Sequence, residues 1–241
     1  MTPADVEPLL QSMFIDAPGT SLRDEDRKKA VEVAAFLTEL ERIGTRGPLV
    51  DAAAGKSYLG LLAAELLGVD EVTVIERNEK QVHNARHALS KLKHAKVTTT
   101  VGDVEDASCW PSKPRVVIGL HACGAASDAI IDAAIAREAK WLLLVPCCYP
   151  SPAFAHQRAD ALGISGAAEV RKKFVQSLID SERALRLEAA GYETSVIPFV
   201  APTVTPHNLM FRARRLMNQK RMHDAKATLT NSFAWSSASR A

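Results

Sequence analysis

Aromatic residues are scarce. Tryptophan, tyrosine and phenylalanine make up 5% of the 241 residues, too few to expect a surface paved with rings for stacking unpaired bases. Cysteine is also sparse, with four in all. Cys109, Cys123, Cys147 and Cys148 are oddly placed for a disulfide scaffold, and two of them are sequence neighbours. No apolar run approaches the length of a membrane span, and the first residues carry Asp5 and Glu7 where a signal peptide would carry an apolar stretch. Together these absences predict a cytoplasmic protein with no membrane partner and reduced thiols. No internal repeat is visible.

What is present has the composition of an ordinary globular domain: 47% hydrophobic and 24% charged residues, with a formal net charge of +2. The charge is unevenly spread. From His207 to Ala241 there are seven basic residues (Arg212, Arg214, Arg215, Lys220, Arg221, Lys226, Arg240) against Asp224 alone, so this segment carries +6. Such a patch either meets phosphates, RNA being the expected partner, or is a solvated terminus. The chain divides into an N-terminal helical extension over 1–46, a main domain over 47–216, and a basic, weakly ordered tail over 217–241.

In the extension, Ser21 reads as an N-cap with Asp24 three residues on. Val33, Phe36, Leu37 and Leu40 then recur at helical spacing, predicting about twenty helical residues that end near Gly44. Beyond it, strands and helices alternate: strands at 48–51, 72–76, 96–101, 115–120 and 141–145, with helices at 59–67, 79–92 and 128–139. That alternation predicts parallel βαβ units. A less regular stretch follows Pro150 as far as Gly166. A long helix then runs to Ala190, stopped by Gly191, and strands at 192–200 and 209–213 close as an antiparallel hairpin. The expectation is an α/β, Rossmann-like, mostly parallel seven-stranded sheet with helices on both faces.

In such a sheet, ligands bind beyond the carboxyl ends of the strands. The first strand runs into Asp51-Ala52-Ala53-Ala54-Gly55-Lys56-Ser57, a turn of small residues leading to a helix amino end. Gly55-Lys56-Ser57 invites a phosphate-loop reading, but that motif needs glycine at position 50, which is Val50. Glu76 closes the second strand, where a carboxylate can accept from both hydroxyls of a ribose. Dinucleotide binders use the same position but need several glycines to seat a pyrophosphate. Gly102-Asp103-Val104 follows the third strand, where an acid can accept from an adenine amine and Val104 can cover the ring; an Asx turn explains Asp103 nearly as well.

Two further runs follow the central strands: His121-Ala122-Cys123-Gly124, and Pro146-Cys147-Cys148-Tyr149. These strands neighbour each other in the doubly wound order, so an imidazole, three thiols and a phenol converge. With the Asp51–Ser57 turn, the two runs resemble the class I S-adenosylmethionine (SAM) dependent methyltransferases that include acceptor-stem tRNA 2′-O-methyltransferases and the methyltransferase domain of glutathione S-transferase C-terminal domain-containing proteins.

The resemblance covers about Leu49 to Arg214 and implies SAM as cofactor. It implies that Asp51, Ala53, Gly55 and Ser57 hold the methionine moiety, Glu76 the ribose, and Asp103 with Val104 the adenine. His121, Cys147, Cys148 and Tyr149 would border the acceptor, His121 touching the cofactor as well. The chain departs from the pattern at Ala53 and Ser57, often glycine in methyltransferases, and has no zinc-finger module and no glutathione-transferase-like domain. For a hydroxyl acceptor His121 is the candidate base; the other reading is a histidine that fixes its loop. The cysteines are small hydrophobes, thiolate-forming groups or metal ligands. Without the tight ligand pairs usual in structural sites, no metal is assigned. The acceptor is then RNA, a protein or a small molecule, and the other class of function is a Rossmann module that binds without catalysis.

Overall fold

The computed structural model describes residues 1–15, 21–92, 96–149, 152–164, 166 and 168–233. Pro150, and Arg240 with the rest of 234–241, lie outside them. In chain order the elements are α1 (Pro3–Phe14), α2 (Asp24–Ile43), β1 (Leu49–Ala52), α3 (Tyr58–Leu67), β2 (Glu71–Glu76), α4 (Glu79–Leu89), β3 (Lys96–Val101) and β4 (Val116–Cys123). Then come α5 (Ala125–Ala136), β5 (Trp141–Cys148), α6 (Ala153–Ala161), α7 (Ala168–Ala189), β6 (Tyr192–Pro198), β7 (Leu209–Arg215) and α8 (Gln219–Phe233).

The seven strands form one sheet in the order β3-β2-β1-β4-β5-β7-β6. All neighbours pair in parallel except β7, which runs antiparallel to both β5 and β6. The order reverses direction between β1 and β4, where a doubly wound sheet leaves a crevice at the strands' carboxyl ends. Period-two alternation distributes the strand side chains between two cores. Leu49, Val116, Ile118 and Leu143 join the helices α1 to α4 on one face, while Val50, Val117, Leu142 and Leu144 join α5 and α7 on the other. This is the Rossmann-like architecture expected for class I methyltransferases.

Several boundaries differ from the sequence expectation, each for a physical reason. The second helix begins at Asp24 rather than after Ser21, because the Asp26 carboxylate accepts from the Arg23 backbone N–H at 3.0 Å and closes the helix start there. β4 and β5 continue three residues beyond the apolar runs, so His121, Cys123, Cys147 and Cys148 are strand residues and not loop residues. Polar side chains ended the hydrophobic pattern while backbone pairing persisted. α1 and α6 were not anticipated.

The larger correction concerns the C-terminal segment. Residues 219–233 form a helix where a weakly ordered tail was expected. Ala225 is buried, and Leu229 packs with Phe154, Val175 and Ile179. The apolar positions at 225 and 229 are one turn apart, a stripe too short to stand out against the polar composition.

Candidate active site

A cavity of about 410 Å³ opens at the carboxyl ends of β1 to β4. Its walls are Ala53 after β1, Glu76 at the end of β2 with Arg77 after it, Gly102 to Glu105 after β3, His121 and Cys123 on β4, and the first residues of α5. The structure therefore brings together Ala53, Glu76, Asp103, Val104 and His121 of the anticipated set.

Asp51, Gly55 and Ser57 do not line this cavity; Asp51 and Ser57 are buried, and Gly55 is half-buried in the turn. Asp51 is 2% exposed. Its Oδ2 accepts from Ser57 Oγ at 2.7 Å and from the Gly60 N–H at 2.9 Å, bracing the turn from beneath. Burial, opposed by those two hydrogen bonds, raises its pKa to about 7. Gly60 is required for this contact, since a Cβ there would stand 2.9 Å from the same oxygen. In the turn above, Ala53, Gly55 and Ser57 all have positive φ, between 53° and 57°. The first and last are the departures from glycine noted in the sequence, and each places a Cβ in a region that costs roughly 1–2 kcal/mol.

Glu76 ties the turn to β2. Its Oε2 accepts from the Gly55 N–H at 2.8 Å and its Oε1 from the Asn78 N–H at 2.8 Å. Each carboxylate oxygen has a second lone pair, so the group can brace the turn and still accept from a diol. At the neighbouring strand end, Asp103 Oδ1 accepts from the Glu105 N–H at 3.1 Å, an Asx turn, and Oδ2 lies 3.9 Å from Arg77.

His121 is the inserted residue of a β-bulge. Pairing passes from Leu120↔Val145 to Ala122↔Pro146, and His121 has φ +61°. A bulge re-aims a side chain; here the ring meets Glu32, 89 positions earlier on α2, with Nε2 2.9 Å from Oε1. Glu32 is 5% exposed. Burial raises its pKa, but hydrogen bonds from His121 and Lys29 outweigh that and leave it lowered overall. An ionised Glu32 takes the Nε2 proton in hydrogen bonding and leaves Nδ1 as the basic ring nitrogen.

Sequence reasoning missed Glu32, although a signal existed. Positions 32, 36 and 40 follow one another at single-turn spacing, so an acid occupies the stripe of Phe36 and Leu40.

Cys147, Cys148 and Tyr149 do not line the cavity. Tyr149 is turned toward α7, its hydroxyl donating to Asp180 Oδ2 at 2.7 Å, with the Arg183 guanidinium 5.5 Å from its ring centre. Burial, opposed by bonds from Tyr149 and the Arg183 charge, lifts Asp180 to about 6. The three thiols gather instead: Cys123 Sγ lies 2.7 Å from Cys147 Sγ, and Cys147 Sγ lies 3.7 Å from Cys148 Sγ. Burial pushes the Cys123 and Cys147 thiols up.

The basic segment is largely paired within the molecule. Arg212 bonds Glu39, Arg215 bonds Glu138, Lys220 bonds Asp224, and Arg221 bonds Glu188. Arg214 lies over the ring of Trp141 at the amino end of β5, so this cluster begins at the end of the strands opposite the cavity.

The fold and this cavity together define a methyltransferase-like α/β domain. Residues 27–151, just over half of the chain, match the family model described as a methyltransferase domain, and the chain belongs to that family. Among curated proteins it is similar to the human glutathione S-transferase C-terminal domain-containing protein, 23% identical over 187 residues, covering 67% of this chain and 29% of that protein. The mouse counterpart is 25% identical over the same coverage. The chain thus spans about three tenths of the length of these relatives. Among solved structures, protein 1320 of Thermoplasma acidophilum superposes with a TM-score of 0.51 at 18% identity, over 89% of this chain and 98% of that one. Magnesium protoporphyrin IX methyltransferase from Synechocystis, solved with bound S-adenosylhomocysteine, gives 0.50 at 15% identity, over 89% and 99%.

Proposed function

We propose that this chain is a SAM-dependent methyltransferase acting on an acceptor that surrenders a proton, with RNA as the acceptor class the motif resemblance implies. The observation that supports it most is the cavity at the strand-order reversal, with a diol-accepting carboxylate at one strand end and an imidazole–carboxylate pair at another.

The residues present fit the cofactor. Glu76 has lone pairs for ribose hydroxyls, Asp103 and Val104 stand where an adenine would lie, and Ala53, Gly102 and Ala126 leave the walls low. Glu76, Asp103 and Glu105 make the lining predominantly acidic, Arg77 being its one fixed cation among the described residues. That balance favours a sulfonium and opposes a diphosphate. Bound SAM supplies a methyl group made electrophilic by its sulfonium. Glu32 holds the His121 ring through Nε2, and Nδ1 is then available to take a proton from the acceptor. Alignment of acceptor and methyl is the main contribution asked of the walls. A reducing compartment belongs to the same reading.

Calorimetry with SAM, S-adenosylhomocysteine and NAD tests the cofactor assignment. Glu76→Ala is expected to weaken SAM binding by about 5- to 150-fold, equivalent to roughly 1–3 kcal/mol for charged hydrogen bonds. Equal affinity in variant and wild type, or preference for NAD, overturns it. Methyl-labelled SAM incubated with cellular fractions then reads the acceptor. Label in RNA supports the reading, label in protein or small metabolites replaces its acceptor, and tight binding without transfer replaces the catalytic function with a binding one.

A further inference from the structure

The geometry points to a zinc site formed by Cys123, Cys147 and Cys148 at the joined ends of β4 and β5, beside the methyl-transfer cavity. The three sulfurs lie within 4.8 Å of one another. They come from two strands, as one cross-strand pair and one bulged residue. Cys123 and Cys148 are paired across the ladder, and Cys147 is the extra residue between Pro146 and Cys148 on β5. Regular alternation would send Cys147 and Cys148 to opposite faces of the sheet. The irregular register at this point brings both thiols to the same place, where Cys123 meets them.

The spacing suits one small thiophilic ion. Zinc holds thiolate sulfur at about 2.3 Å, so two tetrahedral ligands stand about 3.8 Å apart. Cys147 and Cys148 already lie at 3.7 Å. Cys123 and Cys147 are closer, at 2.7 Å, and Cys123 is exposed, so rotation about its Cα–Cβ bond opens that edge. All three are free thiols. Soft thiolate donors select zinc over magnesium or calcium, whose ligands are oxygens.

His121 is not a fourth ligand. Its Nε2 is committed to Glu32, and it is absent from the cluster of potential ligands. With Cys123 on the cavity wall, the fourth position falls to solvent or to a small donor entering from that side. Three protein ligands and one open position is the pattern of zinc sites that are not purely structural. The ion would also clamp two strand ends where the ladder of backbone hydrogen bonds is irregular, so binding adds to folding stability.

The test needs no methyl transfer, so it fails or succeeds apart from the proposed activity. Full-length protein, reduced and stripped of metal, is titrated with zinc against a chromophoric chelator, and with cobalt as a spectroscopic stand-in. The expected result is one ion per chain, a thiolate-to-cobalt charge-transfer band, and a zinc-dependent rise in melting temperature. Alkylation followed by mass spectrometry should show zinc protecting Cys123, Cys147 and Cys148 while Cys109 reacts as before. Cys148→Ser should weaken zinc by more than the roughly 10- to 100-fold that loss of an outer-sphere partner costs, and Cys109→Ser should leave affinity unchanged. Absence of the cobalt band, equal alkylation with and without zinc, or a Cys123–Cys147 disulfide that forms as readily with zinc present as without it overturns the assignment.

Discussion

Asp51 is a residue whose chemistry changes sharply between chain and fold. Its folded pKa near 7 lies above the ordinary 3.8, so the folded protein binds this proton more tightly than the unfolded chain does. The stability it contributes is fully present below about pH 4 and is lost as pH rises through about 7. A shift of that size is worth a few kcal/mol, on the order of 1.4 per unit. Asp51→Asn keeps an oxygen to accept from Ser57 and Gly60 but cannot ionise. Urea unfolding of both proteins across this pH range should therefore show the wild type losing stability relative to the variant on the alkaline side. Parallel stability curves would remove the assigned role.

The same residue marks a limit of reading from sequence. Position 51 announced itself as the acid at the end of a strand, and the turn after it was correctly placed. That the acid faces inward, toward Ser57 and Gly60, depends on three-dimensional packing with no linear signature. Glu76 was legible because strand ends in this fold point at the crevice. Glu32 was not, because it lies on α2, a helix read only for its apolar stripe, and its partner His121 comes from β4, 89 positions further along the chain.

Among the elements, strands were the most legible, since buried parallel strands leave short apolar runs between helices. Their carboxyl ends were not, because β4 and β5 keep pairing through His121 and the cysteine pair after hydrophobicity stops. The least legible element was α8, whose composition is that of a solvated segment. Its attachment rests on Leu229, packed against α6 and α7, and on the buried Ala225. Ala225→Glu should cost roughly 1–3 kcal/mol by forcing volume and charge into a closed contact. Lys226→Glu, one residue on and exposed, should stay within about 0.5 kcal/mol. Thermal melts of the pair discriminate a docked helix from a loose tail: equal, negligible effects would mean the tail.

At the scale of the molecule, alternation of strands and helices was enough to predict a doubly wound sheet, and strand order then fixed where a ligand could bind. What alternation could not supply was the dependence of the main domain on the residues before it. The division at residue 46 separates α2 from the sheet in sequence, yet Val33, Phe36, Leu37 and Leu40 are fully buried in the same core as Leu49, Leu61 and Val116. Burying each such side chain is worth roughly 1.5–3 kcal/mol, so loss of the four is comparable to the whole margin of a typical domain. A chain of residues 47–241 is accordingly expected to aggregate or to expose apolar surface to a fluorescent dye, and to lose SAM binding with it. Glu32→Ala in the full chain separates the second contribution of α2 from the first. It removes the carboxylate that orients His121 and should lower kcat at least tenfold with SAM affinity little changed. A folded, SAM-binding 47–241 fragment with full turnover would show that both the core and the His121 ring are complete without the N-terminal helices.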